Sequence, residues 1–398
     1  MNTHRNINKK TTPLIVAGFL LVAWFLLSLT TNFMLVIQNE QRFDFFPRWE
    51  GSRAVLNQEN PYTDEVTLRI QGKMFGRILA PEEDQQRYAY PAIITWLLLP
   101  FWLLPFPIAI SLWSGLLFLL LLLLPIAVGV HLEWKISPFR LLVMLLFSIF
   151  VYLYPVNAYL IGQFIPFLLA CLIVAWWGLA NERWGITTFA LILSMVRPEV
   201  ILLPLLALLF LSWQRKNRRI VGTWVVSMAI LWFITRLWIG PWVGDFVEGL
   251  VAYQAYSAPV WPPMLPNNPV LAITLVVGIL GWGLLMWKEV DVLEDTERIG
   301  WILSITILAG LVIFPQTGNY TLIMGLLPVW IMFWVNKESI RRWIPVLIVL
   351  SFPWIFLAGG KGFYKWEHLI VPLSLAILLS LHWRLRKRSL EEASLILN

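Results

Sequence analysis

Asp44 stands a few residues beyond the first long uncharged stretch of the sequence, residues 11–39. If that stretch forms a helix through a membrane, the Asp44 carboxylate lies at the plane of the lipid headgroups. A carboxylate in that position can act as a general base that takes a proton from a hydroxyl group. The alternative is a solvated carboxylate, or one paired with Arg42 or Arg48.

Arg197 is a second residue whose position suggests chemistry, because it interrupts an apolar run immediately before Pro198. Charges at membrane depth are costly and usually mark a site, and a guanidinium group binds phosphate oxygens in a bidentate manner. The alternative is an intramembrane ion pair with Glu199. Arg236 is a further candidate for a phosphate contact, although a side chain that extends to the headgroups also explains its position.

Further polar side chains lie in the segments that connect the apolar runs. Amide and phenol groups donate and accept hydrogen bonds, so they can bind hydroxyl or phosphate groups of a ligand. For each tyrosine, the alternative is the aromatic belt that membrane proteins carry at the bilayer surface. The candidate ligand-binding residues are Tyr62, Tyr90, Gln163, Glu199, Asn319 and Tyr320.

The composition indicates which elements must position these residues. Of the 398 residues, 59% are hydrophobic and 13% are charged, whereas soluble domains are about half apolar. Apolar runs of about 20 residues, the length that crosses a bilayer as a helix, recur along the chain. The runs are continuous rather than alternating, which favours helices over a β-barrel. We therefore predict an all-α polytopic membrane protein with one membrane domain, residues 1–398.

The net charge of +7 is carried by short basic clusters between apolar runs, so we expect no nucleic-acid partner. Lys and Arg are enriched in cytoplasmic loops, and this rule places both termini inside the cell. Residues 37–90 then lie outside, which is tolerated because long loops escape the rule. The basic clusters are Arg215, Lys216, Arg218 and Arg219; Lys337, Arg341 and Arg342; and Arg384, Arg386, Lys387 and Arg388.

We predict about 12 transmembrane helices and a helical first extracytoplasmic loop, residues 37–107. Within that loop, residues 90–107 either cross the membrane or dip into the outer leaflet and return. We prefer the dip, because a crossing would put Arg183 outside and Arg197 deep in lipid. Residues 385–398 are predicted to form a cytoplasmic tail. The predicted helices are 13–36, 108–130, 139–155, 164–180, 185–197, 199–213, 220–239, 269–287, 299–314, 320–335, 343–358 and 368–384.

Several other classes of site are not expected. The first apolar segment is longer than the core of a signal peptide, about 7–15 residues, so it is predicted to stay as an anchor. A lone Cys171 argues against a disulfide framework or a thiolate metal site. No Asp-x-Asp pair is present, and residues 82–84 are interpreted as a solvated acidic loop. We predict neither a metal nor a cofactor.

With this orientation, the polar residues outside the cytoplasmic loops gather at the outer face of the membrane. A transporter would instead be expected to hold polar groups near the midplane, on broken helices within inverted repeats. The sequence shows no repeated half. The pattern therefore favours an enzyme at the outer leaflet over a carrier.

Residues 42–62 resemble the first extracytoplasmic loop of glycosyltransferase family 87, the bacterial polyprenol-phosphate-mannose-dependent mannosyltransferases of the GT-C class. The family pattern there is an Asp, an amphipathic helix with a small-Leu pair, and a Gly-Asn-Pro-Tyr-like turn. In this sequence those features are Asp44, the stretch Ala54-Val55-Leu56, and the turn Asn60-Pro61-Tyr62. Glu59 stands where the family often has Gly or a polar residue.

Further similarities follow in chain order and, with the order of the helices, cover most of the chain. Residues 88–92 resemble a Tyr-x-Tyr-Pro-Pro motif in which Ala92 replaces the second Pro. Gly162-Gln163 resembles a Gly-Gln pair before a helix, and Arg197-Pro198 stands where Lys-Pro is usual. In residues 316–328, Asn319 stands where some members carry a His.

The resemblance implies a GT-C-type fold and an inverting, metal-independent transfer of a hexose, mannose by analogy, from a polyprenyl phosphate sugar. The acceptor would be a lipid or a glycan at the outer face of the plasma membrane. Asp44 is then the general base, Arg197 and Arg236 hold the donor phosphate, and the remaining candidates bind sugar or lipid. Membrane lipids are the other expected partner. The alternatives are a transporter or lipid flippase, and a catalytically degenerate family member with a structural role.

Overall fold

The structure, a computed structural model, describes residues 44–256, 268–314, 318–359 and 366–397, together with Leu26 and Thr30. All regular secondary structure in these residues is helical, as predicted. Apart from these two residues, the predicted helix 13–36 lies outside the described part of the chain. The α-helices are α1 Phe45–Leu56, α2 Asp64–Phe75, α3 Ile94–Leu97, α4 Leu99–Trp102, α5 Phe106–His131, α6 Pro138–Leu146, α7 Tyr154–Ile161, α8 Ile165–Ala180, α9 Trp184–Ser194, α10 Pro198–Gln214, α11 Arg218–Ile239, α12 Val243–Tyr256, α13 Pro269–Val290, α14 Asp295–Ile313, α15 Leu326–Val335, α16 Ile344–Leu350, α17 Phe352–Ala358 and α18 Glu367–Leu397.

Six helices in the described part of the chain are long and apolar enough to cross a membrane, or seven if a bent pair counts as one span. This finding supports a helical multi-pass membrane protein. The prediction of twelve crossings stays open, since several predicted spans are helices of only 10–17 residues. The six candidate spans are Phe106–His131, Arg218–Ile239, Pro269–Val290, Asp295–Ile313, Ile340–Ala358 and Glu367–Glu392.

Proline sets the start of many of these helices, which explains why their positions could be predicted. Pro138, Pro198 and Pro269 each occupy one of the first two positions of α6, α10 and α13. Proline is favoured there because the first backbone N–H groups of a helix have no intrahelical partner, and its fixed φ suits the helix.

The predicted helix 139–155 is interrupted after Val151 rather than continuous. After α6 the chain forms a π-helical turn, Phe147–Val151, and the path then bends by 59° before α7 begins. Leu153 has a φ of +49° at the bend, and Pro155 lies in the first turn of α7. Pro155 removes a backbone donor, so a helix cannot continue through it without loss of a hydrogen bond.

Helix α1 is buried within the protein along most of its length. Ten of its twelve residues are buried, and it packs against α2, α3, α4 and α5. Phe45 is fully buried, with its ring 5.4 Å from Trp102 and 5.7 Å from Trp113. These aromatic partners come from distant parts of the chain, so the local sequence gives no sign of them.

Residues 90–107 form only the one-turn helices α3 and α4, followed by the start of α5. Neither short helix could cross a bilayer, which needs about 20 residues. The short lengths of α3 and α4 agree with the preferred prediction that residues 90–107 do not cross the membrane. A dip into the outer leaflet stays a prediction.

Helix α14 lies at the centre of the molecule, where it packs against α8, α10, α13 and α18. By contrast, α11 and α13 expose apolar side chains along most of their length, such as Val277 and Leu284 on α13. Such faces suit lipid rather than water. The predicted tail, residues 385–398, begins as a continuation of α18, and Arg386 forms an ion pair with Glu297 of α14 at 2.9 Å.

Candidate active site at the start of α1

Asp44, Gln163 and Arg48 form a hydrogen-bonded chain at the start of α1. The Arg48 guanidinium donates to the Gln163 Oε1 atom at 2.7 Å and to the Gly162 carbonyl at 3.1 Å. The Gln163 side-chain amide in turn donates to the Asp44 carboxylate. Because Arg48 fixes the amide oxygen, the amide N–H group must face Asp44. The carboxylate is therefore oriented by groups that are themselves buried.

Gly162 allows this arrangement through its backbone. Its φ of +73° ends α7 and turns the chain into α8, a conformation that favours glycine. A Cβ atom there would lie 2.9 Å from the Ile110 side chain and 3.0 Å from Phe45. The Gly162 carbonyl also accepts a hydrogen bond from the Trp113 indole at 3.1 Å. The turn therefore places Gln163 against α1, and the hydrogen bond to Trp113 fixes the turn to the aromatic core.

Tyr90 lies between two guanidinium groups. Its ring centre is 4.7 Å from the Arg48 guanidinium carbon and 6.0 Å from that of Arg197. The Arg197 guanidinium carbon also lies 5.8 Å from the Tyr320 ring. Cation–π contacts of this kind hold guanidinium groups in place while leaving N–H groups for another ligand. The structure thus brings four of the candidate residues, Asp44, Tyr90, Arg197 and Tyr320, into one cluster.

Arg197 also forms an ion pair with Glu199, the alternative to phosphate binding that the sequence suggested. Its Nε donates to the Glu199 Oε1 atom at 2.8 Å. The Arg197 side chain is 5% exposed, whereas that of Glu199 is 49% exposed. Glu199 can therefore move into solvent, while Arg197 is held inside. Both residues belong to the start of α10, where a helix N-terminus favours negative charge.

The electrostatics of the cluster act in opposite directions on Asp44. Burial raises the pKa of the Asp44 carboxyl, while Arg48, the Gln163 hydrogen bond and Arg197 lower it, with a net increase above its ordinary value. Burial likewise raises the pKa of Tyr90, against the opposing charges of Arg48 and Arg197. A carboxyl with a raised pKa is a better proton acceptor when ionised, which is the property that a general base requires.

Tyr62 and the turn that contains it hold Tyr90 in its position in the cluster. The Tyr62 hydroxyl donates to the Tyr90 carbonyl at 2.7 Å, and its ring packs on Trp242 and Phe246. Asn60 accepts from the Tyr62 backbone N–H at 3.1 Å and donates to Asp245 of α12. The Tyr62 hydroxyl is thus used within the protein, and its contribution here is to position Tyr90.

Asn319 lies in a neighbouring polar network rather than beside Asp44. It accepts a hydrogen bond from Asn157 at 3.3 Å. Glu367 lies in the same network, since its carboxylate accepts from the Tyr154 hydroxyl at 2.7 Å and interacts with Asn319. Tyr320 follows Asn319 directly, so the two clusters adjoin each other. Glu367 was not among the predicted site residues.

Arg236 is not part of the cluster. It is exposed near the end of α11, and no contact among the described residues joins it to Asp44, Arg197 or Tyr90. Its exposed position on an apolar helix agrees better with a side chain that extends to the headgroups. The second guanidinium of the site is instead Arg48.

Sequence reasoning treated Arg48 only as a possible partner of Asp44. Its position one helical turn beyond Asp44 was the available signal, because residues i and i+4 of a helix lie on the same face. Asp84 was interpreted as part of a solvated loop. Asp84 is exposed, in agreement with that interpretation.

Comparison with family models, with curated proteins and with solved structures gives no significant match for this chain. Within the described residues, no three His, Cys, Asp or Glu side chains are grouped as a metal site. The family resemblance and the absence of a cofactor therefore stay predictions.

Proposed function

We propose that the protein is a membrane glycosyltransferase that moves a hexose, mannose by resemblance, from a polyprenyl phosphate to a lipid or glycan acceptor. The observation that carries this proposal is the Asp44 carboxylate, oriented by Gln163 and placed beside two buried arginines, Arg48 and Arg197. One base next to two cations is what displacement of a phosphate from a sugar requires.

In this reaction Asp44 takes the proton of the acceptor hydroxyl. The acceptor oxygen forms a bond to the anomeric carbon of the sugar while the bond from that carbon to the phosphate oxygen breaks. The electron pair leaves with the polyprenyl phosphate, and Arg197 receives the added negative charge. Attack from the face opposite the phosphate inverts the anomeric configuration.

Glu199 gives Arg197 a partner before the donor binds. A buried guanidinium without a counterion would be costly, and the Glu199 carboxylate offsets that cost in the free protein. Since Glu199 is half exposed, an incoming phosphate can replace it on Arg197. The donor phosphate would then lie at the N-terminus of α10, a position that favours anions.

The direct test is the isosteric change Asp44→Asn in the full chain. Loss of a general base typically lowers a rate by about 10²–10⁴-fold, so transfer of radiolabelled hexose from polyprenyl phosphate hexose into a lipid or glycan fraction should nearly stop. Donor binding should persist, because the arginines are unchanged. Glu65→Gln is the matched control, since Glu65 is an exposed carboxylate of the same loop.

Transfer by Asp44→Asn at the wild-type rate would remove Asp44 from the mechanism and make Glu199 the carboxylate to test. Because burial raises the pKa of Asp44, its negative charge is less favourable in the folded protein than in the unfolded chain. The neutral Asn should therefore not lower the melting temperature. This readout separates a loss of chemistry from a loss of folding.

A transporter or flippase stays the second candidate, and the bend between α6 and α7 is the observation that favours it. Transporters build their sites on such interrupted helices. The two functions differ in what happens to the hexose. A glycosyltransferase leaves the label covalently attached to a product, whereas a transporter moves the labelled compound unchanged across a vesicle membrane.

A further inference from the structure

Helix α1 carries polar residues on two opposite faces. Arg48 lies on the face that turns toward Gln163 and the candidate active site. Trp49, Glu50 and Arg53 lie on the other face, since residues three and four apart share one side of an α-helix. The second face borders a cavity that the site described above does not use.

This cavity has a volume of about 630 Å³ and lies between α1, α2 and the start of α5. Its size falls within the range of small-molecule sites, roughly 300–1,000 Å³. Trp49 and Arg53 line it from α1, and Arg69 and Lys73 line it from α2. The segment 105–107 closes the remaining side.

The charges that line the cavity are predominantly positive. Glu50 is buried and pairs with Arg69 at 2.9 Å and with Lys73 at 2.8 Å. Arg69 also pairs with Glu59 at 2.6 Å. Arg53 stands over the Trp49 ring at 4.8 Å, and no hydrogen bond or ion pair joins its guanidinium to another described residue.

The carboxylates of Glu50 and Glu59 are thus paired with Arg69 and Lys73. The Arg53 guanidinium is the group left for a ligand. The contact with the aromatic ring stabilises the guanidinium without using its N–H groups as hydrogen-bond donors. A group with one or more anionic oxygens, of the size of a phosphate, would complete the charge balance of the cavity.

The position of the cavity indicates where such a group comes from. The segment 105–107 lies at the beginning of α5, a candidate membrane span. The end of a span lies at the headgroup plane, where phospholipid phosphates are found. Trp49 and Phe106 supply an apolar wall beside the cations, which suits a ligand with both a phosphate and acyl chains.

We propose that this cavity binds the headgroup phosphate of an anionic phospholipid, with Arg53 as its main contact and Lys73 as a second cation. The bound lipid would tie α1 and α2 to the membrane next to the candidate active site. The proposal does not depend on glycosyl transfer, because it concerns the opposite face of α1 and is tested by binding alone.

Native mass spectrometry of the purified full chain, titrated with phosphatidylglycerol, tests the proposal. One phosphatidylglycerol should bind more tightly than the rest, and Arg53→Gln should weaken that event by about tenfold, the effect of losing a charged hydrogen bond. Phosphatidylcholine should not show this step. Lys135→Gln is the control, because it removes one exposed cation beyond the opposite end of α5.

Equal weakening by Arg53→Gln and Lys135→Gln would overturn the proposal, since it would indicate only a diffuse attraction between basic residues and anionic lipid. Equal affinity for phosphatidylcholine would overturn it as well. Inorganic phosphate that competes as strongly as the lipid would overturn the lipid assignment and leave an anion site. A far-ultraviolet circular dichroism spectrum of Arg53→Gln identical to that of the wild type verifies that the variant is folded.

Discussion

Asp44 can act as a base only while it is ionised, and its burial opposes ionisation. Burial raises the pKa of this carboxyl, and the positive charges of Arg48 and Arg197 partly counteract the increase. Activity should therefore fall, as the pH is lowered, at a higher pH than an ordinary aspartate would give. The acid limb of the pH–rate profile reports this group.

Arg48→Gln tests the assignment of the acid limb to Asp44 through the direction in which that limb shifts. Removal of a nearby positive charge raises the pKa of a carboxyl, so the acid limb of kcat/KM should move to higher pH. Arg77→Gln is the matched control, since Arg77 is an exposed arginine of the same loop whose ion pair with Glu83 contributes little. A shift of equal size in both variants, or a shift to lower pH for Arg48→Gln, would contradict the role of Asp44.

Arg197 can be separated from its ion pair by a short series of variants. If Arg197 receives the phosphate, Arg197→Ala should abolish transfer, while Arg197→Lys should keep a measurable part because only the bidentate geometry is lost. Glu199→Gln should lower the KM for the donor, since the phosphate no longer competes with a carboxylate. Steady-state transfer kinetics give both quantities.

The double variant Arg197→Met with Glu199→Leu distinguishes a structural pair from a phosphate ligand. Replacing both partners of a buried ion pair by apolar groups is often neutral for stability. Recovery of transfer in this double variant would show that Arg197 acts only as the ion-pair partner of Glu199. A folded but inactive double variant agrees with phosphate binding.

Most of the residues in the cluster were identified from the sequence, but their relationships were not. Asp44 and Arg197 stood out as charges at the ends of apolar runs, and Tyr90 and Tyr320 stood out as polar residues of the connecting segments. The partners of Gln163, which are Arg48 and Asp44, could not be inferred. They depend on a contact between α1 and the α7–α8 turn, more than a hundred residues apart in sequence.

At the scale of elements, the turn between α7 and α8 controls the geometry of the site. Gly162→Ala should destabilise the protein by about 1–3 kcal/mol, because alanine at a positive φ is strained and its Cβ would crowd Phe45 and Ile110. The measurement is thermal unfolding in detergent, followed by tryptophan fluorescence. Hexose transfer should fall with it, since Gln163 would lose its orientation.

Gly278→Ala is the control for that change. Gly278 lies within α13, and a Cβ there would meet nothing within 4 Å, so alanine should leave the melting temperature unchanged or raise it slightly. Equal melting temperatures for Gly162→Ala and the wild type would contradict the proposed importance of this turn.

Helix positions were predictable to within a few residues wherever apolar length and a starting proline coincide, as in α5 and α10. The bend before α7 and the burial of α1 were not. Burial of α1 arises from aromatic rings of α4, α5 and the α7–α8 turn that surround Phe45. A hydrophobic pattern within one segment carries no information about partners that are distant in sequence.

For the whole molecule, α10 relates the candidate site to the membrane. Arg197 precedes its first residue, and Arg215 follows its last, where it pairs with Asp295 at 2.6 Å. Its seventeen residues span about 25 Å at 1.5 Å per residue, less than the roughly 30 Å of a hydrocarbon core, and α10 is not among the six candidate spans. The candidate site and the basic cluster at Arg215 lie at opposite ends of α10, and the preference of basic clusters for the cytoplasm predicts that they face opposite sides of the membrane.

The orientation of the chain decides which face carries the site. Basic clusters favour the cytoplasm, so residues 40–90 and 359–367 should lie outside, and residues 214–219 and 288–298 should lie inside. Glu82 and Lys216 are exposed and represent the two sides.

Single cysteines at these positions, Glu82→Cys and Lys216→Cys, should be introduced in a Cys171→Ser background, since the native thiol is buried. A membrane-impermeant maleimide added to intact cells should label Glu82→Cys at once and Lys216→Cys only after permeabilisation. Because Asp44 and Glu82 belong to the same loop, this result would place the proposed general base on the outer side, where we propose that a polyprenyl phosphate sugar presents its hexose. Labelling of Lys216→Cys alone would put Asp44 in the cytoplasm and end the proposal of an outer-face enzyme.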